Sequence, residues 1–273
     1  MNIISTILKG LWVGATMTVP GVSGGTMALV VGIYEKLIHA INGIRKRPKE
    51  NILFLLQFLL GAGVGFLVFA RCITYLLSSE QTGEVTRFIF MGIVAGGIPL
   101  LVKETGMQKV KFKHILFLLL GIGVVLGLML LPKDLSSSGE GIGYYLMQIL
   151  AGFIVAVAMI LPGISMTHML YILGMYETVL EDVYTLQLLN LLPLVIGLLL
   201  GTFLTANLLE YLMEKHRECV YMIIIGFVAG SLTSLIPESG LKHLLIDFFA
   251  VMVGFIAMTM LAKKVKSKEK AAE

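Results

Sequence analysis

The chain has 273 residues, of which 57% are hydrophobic and 14% charged, against roughly 25% charged in an ordinary soluble domain. A mean hydropathy of +0.93 over that length excludes a soluble globular fold and a disordered chain, and requires several membrane spans rather than one anchor. The net charge of +4 lies in short basic blocks between apolar stretches, which fits membrane topology and argues against nucleic acid as a partner.

The N-terminal stretch MNIISTILKGLWVGATMTVPG has no basic n-region and no small-x-small cleavage site, so it reads as part of the mature fold. From Lys9 to Val19 there is helix for only ~15 Å, about half a hydrocarbon core, before Pro20 and Gly21 interrupt it. The segment from Ser23 to Tyr34 is equally short. Three continuous apolar stretches follow, at 51–77, 87–102 and 114–131. The second half repeats the plan: an interrupted stretch broken at Pro162 and Gly163, then 188–212, 219–235 and 243–262, and a basic tail at 263–273. Cys72 and Cys219 sit far apart in apolar surroundings without metal-ligand spacing, so they read as packing residues. No metal or cofactor is expected.

The two halves are a duplication. Residues 10–38 and 152–180 align without a gap through Gly10/Gly152, Pro20/Pro162, Gly21/Gly163, Ser23/Ser165, Met27/Met169, Gly32/Gly174, Tyr34/Tyr176 and Glu35/Glu177. Downstream, Gly61, Gly65, Ala70 and Tyr75 match Gly197, Gly201, Ala206 and Tyr211, and GIVAG at 92–96 matches GFVAG at 226–230. The interrupted stretches are either broken spans or re-entrant hairpins, and the positive-inside rule separates the two. Re-entrant hairpins make the repeats inverted. They put Arg45, Lys46, Arg47, Lys49, Lys103, the lysines from Lys109 to Lys113, Lys215, Arg217 and the tail lysines on one side, and leave Arg87, Lys133 and Lys242 on the other. Broken spans divide the same blocks almost evenly. The expected fold is therefore an all-α polytopic membrane protein of two inverted-topology repeats, each a re-entrant helix hairpin plus three transmembrane helices. Repeat one is 1–143 with its hairpin at 2–42, repeat two is 144–262 with its hairpin at 144–180, and both termini are cytoplasmic.

Inverted hairpins bring their tips together near the midplane, where non-helical backbone is tolerated only if protein or water covers it. Each tip, PGVSGGT at 20–26 and PGISMTH at 162–168, opens a helix whose free N–H groups attract an anion. Ser23 and Ser165 can cap or donate, and Gly24 and Gly25 permit close backbone approach. The alternative is a plain hairpin turn with capping serines. His168 stands where the first repeat has Thr26 and can donate to a phosphate. Glu35 and Glu177 follow the tip serines by twelve residues, ~18 Å of continuous helix, and carry a coupling proton or anchor the interface beside Tyr34 and Tyr176. Arg71, the one charge within 51–77, where the second repeat has Asn207, either pairs with an anion inside the protein or snorkels to the interface. The basic blocks suit anionic lipids.

With PGVSGGT...GIYE and PGIS...GMYE, the chain resembles the PopT family of bacterial polyprenyl-phosphate transporters over essentially its whole length. The resemblance implies a flippase of the bacterial cytoplasmic membrane that recycles undecaprenyl phosphate for cell-wall synthesis. It implies phosphate binding by Ser23, Gly24, Gly25 and Thr26 with Ser165, while Met166, Thr167 and His168 depart from the small-residue loop expected at the second tip. An undecaprenyl-diphosphate phosphatase has similar repeats, but its chemistry needs an arginine at the tips, and Gly24 and Met166 stand there instead. A small-anion transporter is the third alternative.

Overall fold

The computed structural model describes residues 3–19, 21–131, 141–236 and 243–270, down to the side chain except at 80, 81, 183 and 262–270. Pro20, Lys133 and Lys242, and the side chains of the tail lysines, lie outside the described residues. The described residues form α1 (Ile3–Thr16), α2 (Gly24–Val30), α3 (Tyr34–Gly43), α4 (Pro48–Leu77), α5 (Glu80–Glu104), α6 (Phe112–Met129), α7 (Ile142–Ile160), α8 (Met166–Ile172), α9 (Tyr176–Tyr184), α10 (Leu192–Lys215), α11 (Arg217–Ser231) and α12 (Leu244–Lys270), with a 3₁₀ turn at Leu232–Leu235. Among the described residues, seven helices are long and apolar enough to cross a membrane: α4, α5, α6, α7, α10, α11 and α12. The chain is a multi-pass helical membrane protein.

The seventh is α7, which the sequence assigned to a half-length segment. It runs 19 residues, ~28 Å at 1.5 Å each, whereas its repeat mate α1 has 14. The largest other shifts are in α5 and α12. Helix α5 starts at Glu80 rather than 87, because its polar first turns are packed: Glu84 and Thr86 are buried. Helix α12 continues to Lys270, since lysine and glutamate are good helix formers outside an apolar stretch.

Apolar side chains gain little by leaving lipid for one another, so helices in a bilayer associate where small residues let backbones close in. The duplicated glycines do this in matched fashion. A Cβ on Gly61 would overlap the carbonyl of Ile7, and one on Gly197 that of Ile149. Gly10 and Gly152 face the carbonyls of Phe58 and Leu194 in the same way. Thus α1 packs along α4 and α7 along α10, while α5 pairs with α12 and α11 with α6. The last two pairings exchange helices between the repeats, so the two halves interlock. Helix α11 is the most enclosed, with 61% of its apolar window buried, while α4 at 11% and α6 at 17% form the perimeter. One hydrophobic cluster joins Met27, Ile33 and Tyr34 of the first hairpin to Tyr221, Ile224 and Val228 of α11.

Candidate functional site

Each hairpin tip is a turn that its glycine makes possible. Gly21 has φ +88° and Gly163 φ +83°, the left-handed region that follows proline in a type II turn, and the Val22 N–H closes the first turn onto the Val19 carbonyl at 3.1 Å. Both tips rest on the second repeat's central helix and the turn after it: the Ser234 hydroxyl donates to the Gly21 carbonyl at 3.4 Å, and Gly163 lies against the backbone of Phe227. The tips also meet each other. A Cβ on Gly25 would stand 3.3 Å from Cα of Pro162, so the first tip touches the second through a residue without a side chain. Gly24 instead faces the flexible Met17 thioether. Beside this contact the buried Tyr34 hydroxyl donates to the Ile160 carbonyl at 2.7 Å, satisfying the end of α7 where Pro162 stops the helix. Burial, with Tyr221 nearby, pushes the Tyr34 phenol above its ordinary range, so it remains a donor. Its mate Tyr176 stacks on Tyr171 instead, with centroids 4.1 Å apart.

The polar side chains at the two tips differ in what holds them. Ser165 caps α8 by accepting the His168 N–H at 3.4 Å. Ser23, buried at the start of α2, makes no capping bond, so a capping role does not account for its hydroxyl. Thr26 is 1% exposed, and among the described residues its Oγ1 has no hydrogen-bond partner; the same holds for Nε2 of His168. These two residues occupy the matched third position of α2 and α8. Buried polar atoms are nearly always paired, so two orphans at one repeat position are unusual. Met166 and Thr167 are exposed.

The expected continuous helix from Ser23 to Tyr34 does not form. Gly32 and Gly174, with φ +66° and +63°, end α2 and α8 in identical caps: the Ile33 N–H bonds the Ala28 carbonyl and the Met175 N–H the Leu170 carbonyl, both at 2.9 Å, the six-to-one bond of a Schellman motif. Glu35 and Glu177 therefore open new helices, and the ~18 Å offset estimated for an unbroken helix does not apply. Glu35 accepts from Arg217 Nη2 at 2.6 Å and from the Tyr221 hydroxyl, and Arg217 also donates to the Glu104 carbonyl at 3.0 Å. This cluster ties α3 to α5 and α11. Glu177 is exposed and joins no such cluster among the described residues. Arg71 is likewise exposed on α4, without an ion pair to a described residue.

A cavity of about 760 Å³ opens between α3, the start of α4 and α10. His39 and Asn42 both engage Glu210 across it, and Asn207, the mate of Arg71, lines it. The matched helix α9 packs mainly on α8, so one hairpin is docked on its outer helix and the other is not. In the sequence Arg217 reads only as a topology charge. Its partner lies 182 residues away, and the sole hint was a second-repeat tyrosine and arginine where the first repeat has Arg87 and Gly83.

The described residues thus form a polytopic helical membrane protein whose two duplicated tips meet. The undecaprenyl phosphate translocase-like family matches residues 13–253, and the chain belongs to it. It is similar to the polyprenyl-phosphate transporter of Staphylococcus aureus, 33% identical over 263 residues that cover 92% of this chain and 91% of that protein. It is also similar to the polyprenyl-phosphate transporter of Vibrio cholerae, 31% identical over 252 residues, 87% and 79% of the two chains. No solved structure matches.

Proposed function

We propose that the chain is a flippase for polyprenyl phosphate, undecaprenyl phosphate in particular, which returns the carrier lipid across the bacterial cytoplasmic membrane for reuse in cell-wall synthesis. The observation that carries the reading is the pair of buried, unpartnered atoms, Thr26 Oγ1 and His168 Nε2, at matched positions beside the contact of Gly25 with Pro162. A phosphate monoester offers only acceptors to a protein donor, and hydroxyl, imidazole N–H and helix N–H groups are the donors that suit it. Ser23, Gly24, Gly25, Thr26, Ser165, Thr167 and His168 form the head-group site in this reading. Arg71, exposed on α4, meets the head group from outside.

The proposed topology is two inverted repeats with re-entrant hairpins and both termini cytoplasmic, supported by the duplication and the distribution of basic residues. Alternating access then follows from the asymmetry of the two hairpins. The first is docked through Glu35, Arg217 and the Glu210 contacts, while Glu177 of the second, and Arg71 on α4, make no such contacts among the described residues. Exchange of these states would separate Glu35 from Arg217, and in this reading Glu35 and Glu177 take the coupling role.

The deciding experiment reconstitutes the protein and follows leaflet exposure of a short-chain labelled polyprenyl phosphate, alongside phosphate release from the corresponding diphosphate. Movement without hydrolysis is the expected outcome. Phosphate release would replace transport by hydrolysis, and passage of small anions without lipid movement would make the chain an anion transporter.

A further inference from the structure

The pairing of α5 with α12 and of α6 with α11 has one register. On α5, Gly92 lies against the carbonyl of Val251, and on α12, Gly254 lies against that of Ile89. On α11, Gly226 lies against the carbonyl of Leu118, and on α6, Gly121 lies against that of Ile223. Eight residues before Gly226 is Glu218 and seven before Gly121 is His114, and these two are hydrogen-bonded at 3.0 Å. Eight residues before Gly92 is Glu84 and seven before Gly254 is Asp247. The register that joins a histidine to a glutamate in one pair of helices thus sets two carboxylates at the same positions in the other.

The chemistry of the two places differs. The Lys111 N–H donates to Nδ1 of His114 at 3.2 Å, so Nε2 carries the hydrogen given to Glu218, and the pair is complete with a neutral imidazole. Glu84 and Asp247 are 5% and 3% exposed. Among the described residues Oε1 of Glu84 and both carboxylate oxygens of Asp247 have no partner. Two carboxylates can bond each other only if one is protonated, and two buried like charges resist ionising together. Among the described residues, the elements packed around them bring few charges. Helix α5 itself carries Arg87, one turn from Glu84, and His243 precedes α12. Helix α4 brings Arg71, Cys72 and Tyr75, all exposed. Helix α2 and the 3₁₀ turn bring no charge, and α11 brings Arg217 and Glu218 to the opposite end of α5, beside Glu104.

We propose that Glu84 and Asp247 form a buried proton-binding site, one proton held between two carboxylates, which the protein loads and empties during transport. Helix α5 also supports α2, the helix opening at Ser23, through the contact of Gly97 with Val30, so a change at the carboxylate pair reaches the first tip through one element. The site rests on the transport reading for its purpose, but its proton is measurable without it.

The test is infrared spectroscopy of the purified protein with deuterium exchange, together with proteoliposome transport. Wild type is expected to show a protonated carboxyl band at neutral pH that disappears on alkaline titration. Glu84→Gln and Asp247→Asn should each lose that band. Asp247→His, which recreates the His114–Glu218 pair, should lose it while keeping the fold. With labelled polyprenyl phosphate, an imposed pH gradient should change the wild-type rate and leave the Asp247→His rate indifferent. Absence of the band, its persistence in all three variants, or wild-type transport that ignores the gradient overturns the proposal. A band that behaves as expected in a protein that moves no polyprenyl phosphate leaves the proton site standing and removes the transport reading instead.

Discussion

Thr26→Val separates a ligand-binding hydroxyl from a structural one by giving stability and affinity opposite signs. Valine fills the same volume, and Thr26 is 1% exposed with Oγ1 unpartnered. Removing a buried unsatisfied hydroxyl relieves a desolvation cost of about 1–3 kcal/mol, so the lipid-free protein should become more stable, by up to several degrees in melting temperature. Binding should move the other way. A hydrogen bond to a charged phosphate contributes about 1.5–3 kcal/mol, so affinity for a short-chain polyprenyl phosphate should fall roughly 10- to 150-fold. Thr26→Ser, which keeps the hydroxyl, should bind within a few-fold of wild type. The assay is thermal unfolding in detergent without lipid, followed by titration with the labelled lipid phosphate. A valine variant that is less stable and binds normally would show that the hydroxyl serves the fold, and the head-group assignment of the first tip would fail.

Four other expectations use the repeat as an internal control. Tyr34→Phe orphans the Ile160 carbonyl and should cost about 1–2 kcal/mol in unfolding measurements, whereas Tyr176→Phe keeps its ring stack and should be nearly neutral. Gly61→Val and Gly197→Val place atoms on a neighbouring backbone and should each destabilise by at least about 1–3 kcal/mol; Gly63→Ala, with nothing within 4 Å of the new methyl, should be neutral or stabilising by up to about 1 kcal/mol. Single cysteines at Lys46 and Lys111 should label from one side of the membrane and those at Tyr145 and Asp182 from the other, and labelling of 145 and 182 from opposite faces would make α7 a full span and end the re-entrant topology. Arg71→Lys should lower the initial transport rate partially and Arg71→Gln much further, because lysine keeps the charge but loses the bidentate fork; full activity in both would return Arg71 to interfacial snorkelling.

Much of the scaffold was legible because its signals are local. Pro-Gly at 20–21 and 162–163 announces the turns, and the matched glycines announce close helix packing. The breaks at Gly32 and Gly174 were also written in the chain, as glycine at a helix end, but the apolar run continues through Val31 and Ile33, and hydropathy masked the cap. The first turns of α5 were hidden by the opposite effect: Glu84 and Thr86 look like a loop, and only tertiary packing buries them. What pattern could not supply was pairing across repeats. Arg217 with Glu35, and His114 with Glu218, depend on α3, α6 and α11 meeting in space, and neither partner differs in sequence from an ordinary interfacial charge.

The two repeats agree at their packing glycines and differ at several polar positions. Among the residues that stayed identical, the glycine pairs Gly10/Gly152, Gly61/Gly197, Gly65/Gly201, Gly92/Gly226 and Gly96/Gly230 are positions where a missing side chain lets a neighbouring helix close in, and matched packing of the two halves needs the same clearance on both. Thr26/His168, Arg71/Asn207 and His114/Asp247 diverged, and Glu84/Glu218 and Glu35/Glu177 kept their identity but changed partners; these positions carry titratable and donor groups. A binding site built by two halves is under no such symmetry when its ligand is one asymmetric lipid. In the proposed reading the phosphate is gripped once, by donors from both tips, while the proton and the counter-charges belong to one face at a time. Substitutions that restore symmetry at these positions, Asp247→His among them, should therefore leave the fold intact and impair the cycle, whereas substitutions that break symmetry among the glycines should impair the fold first.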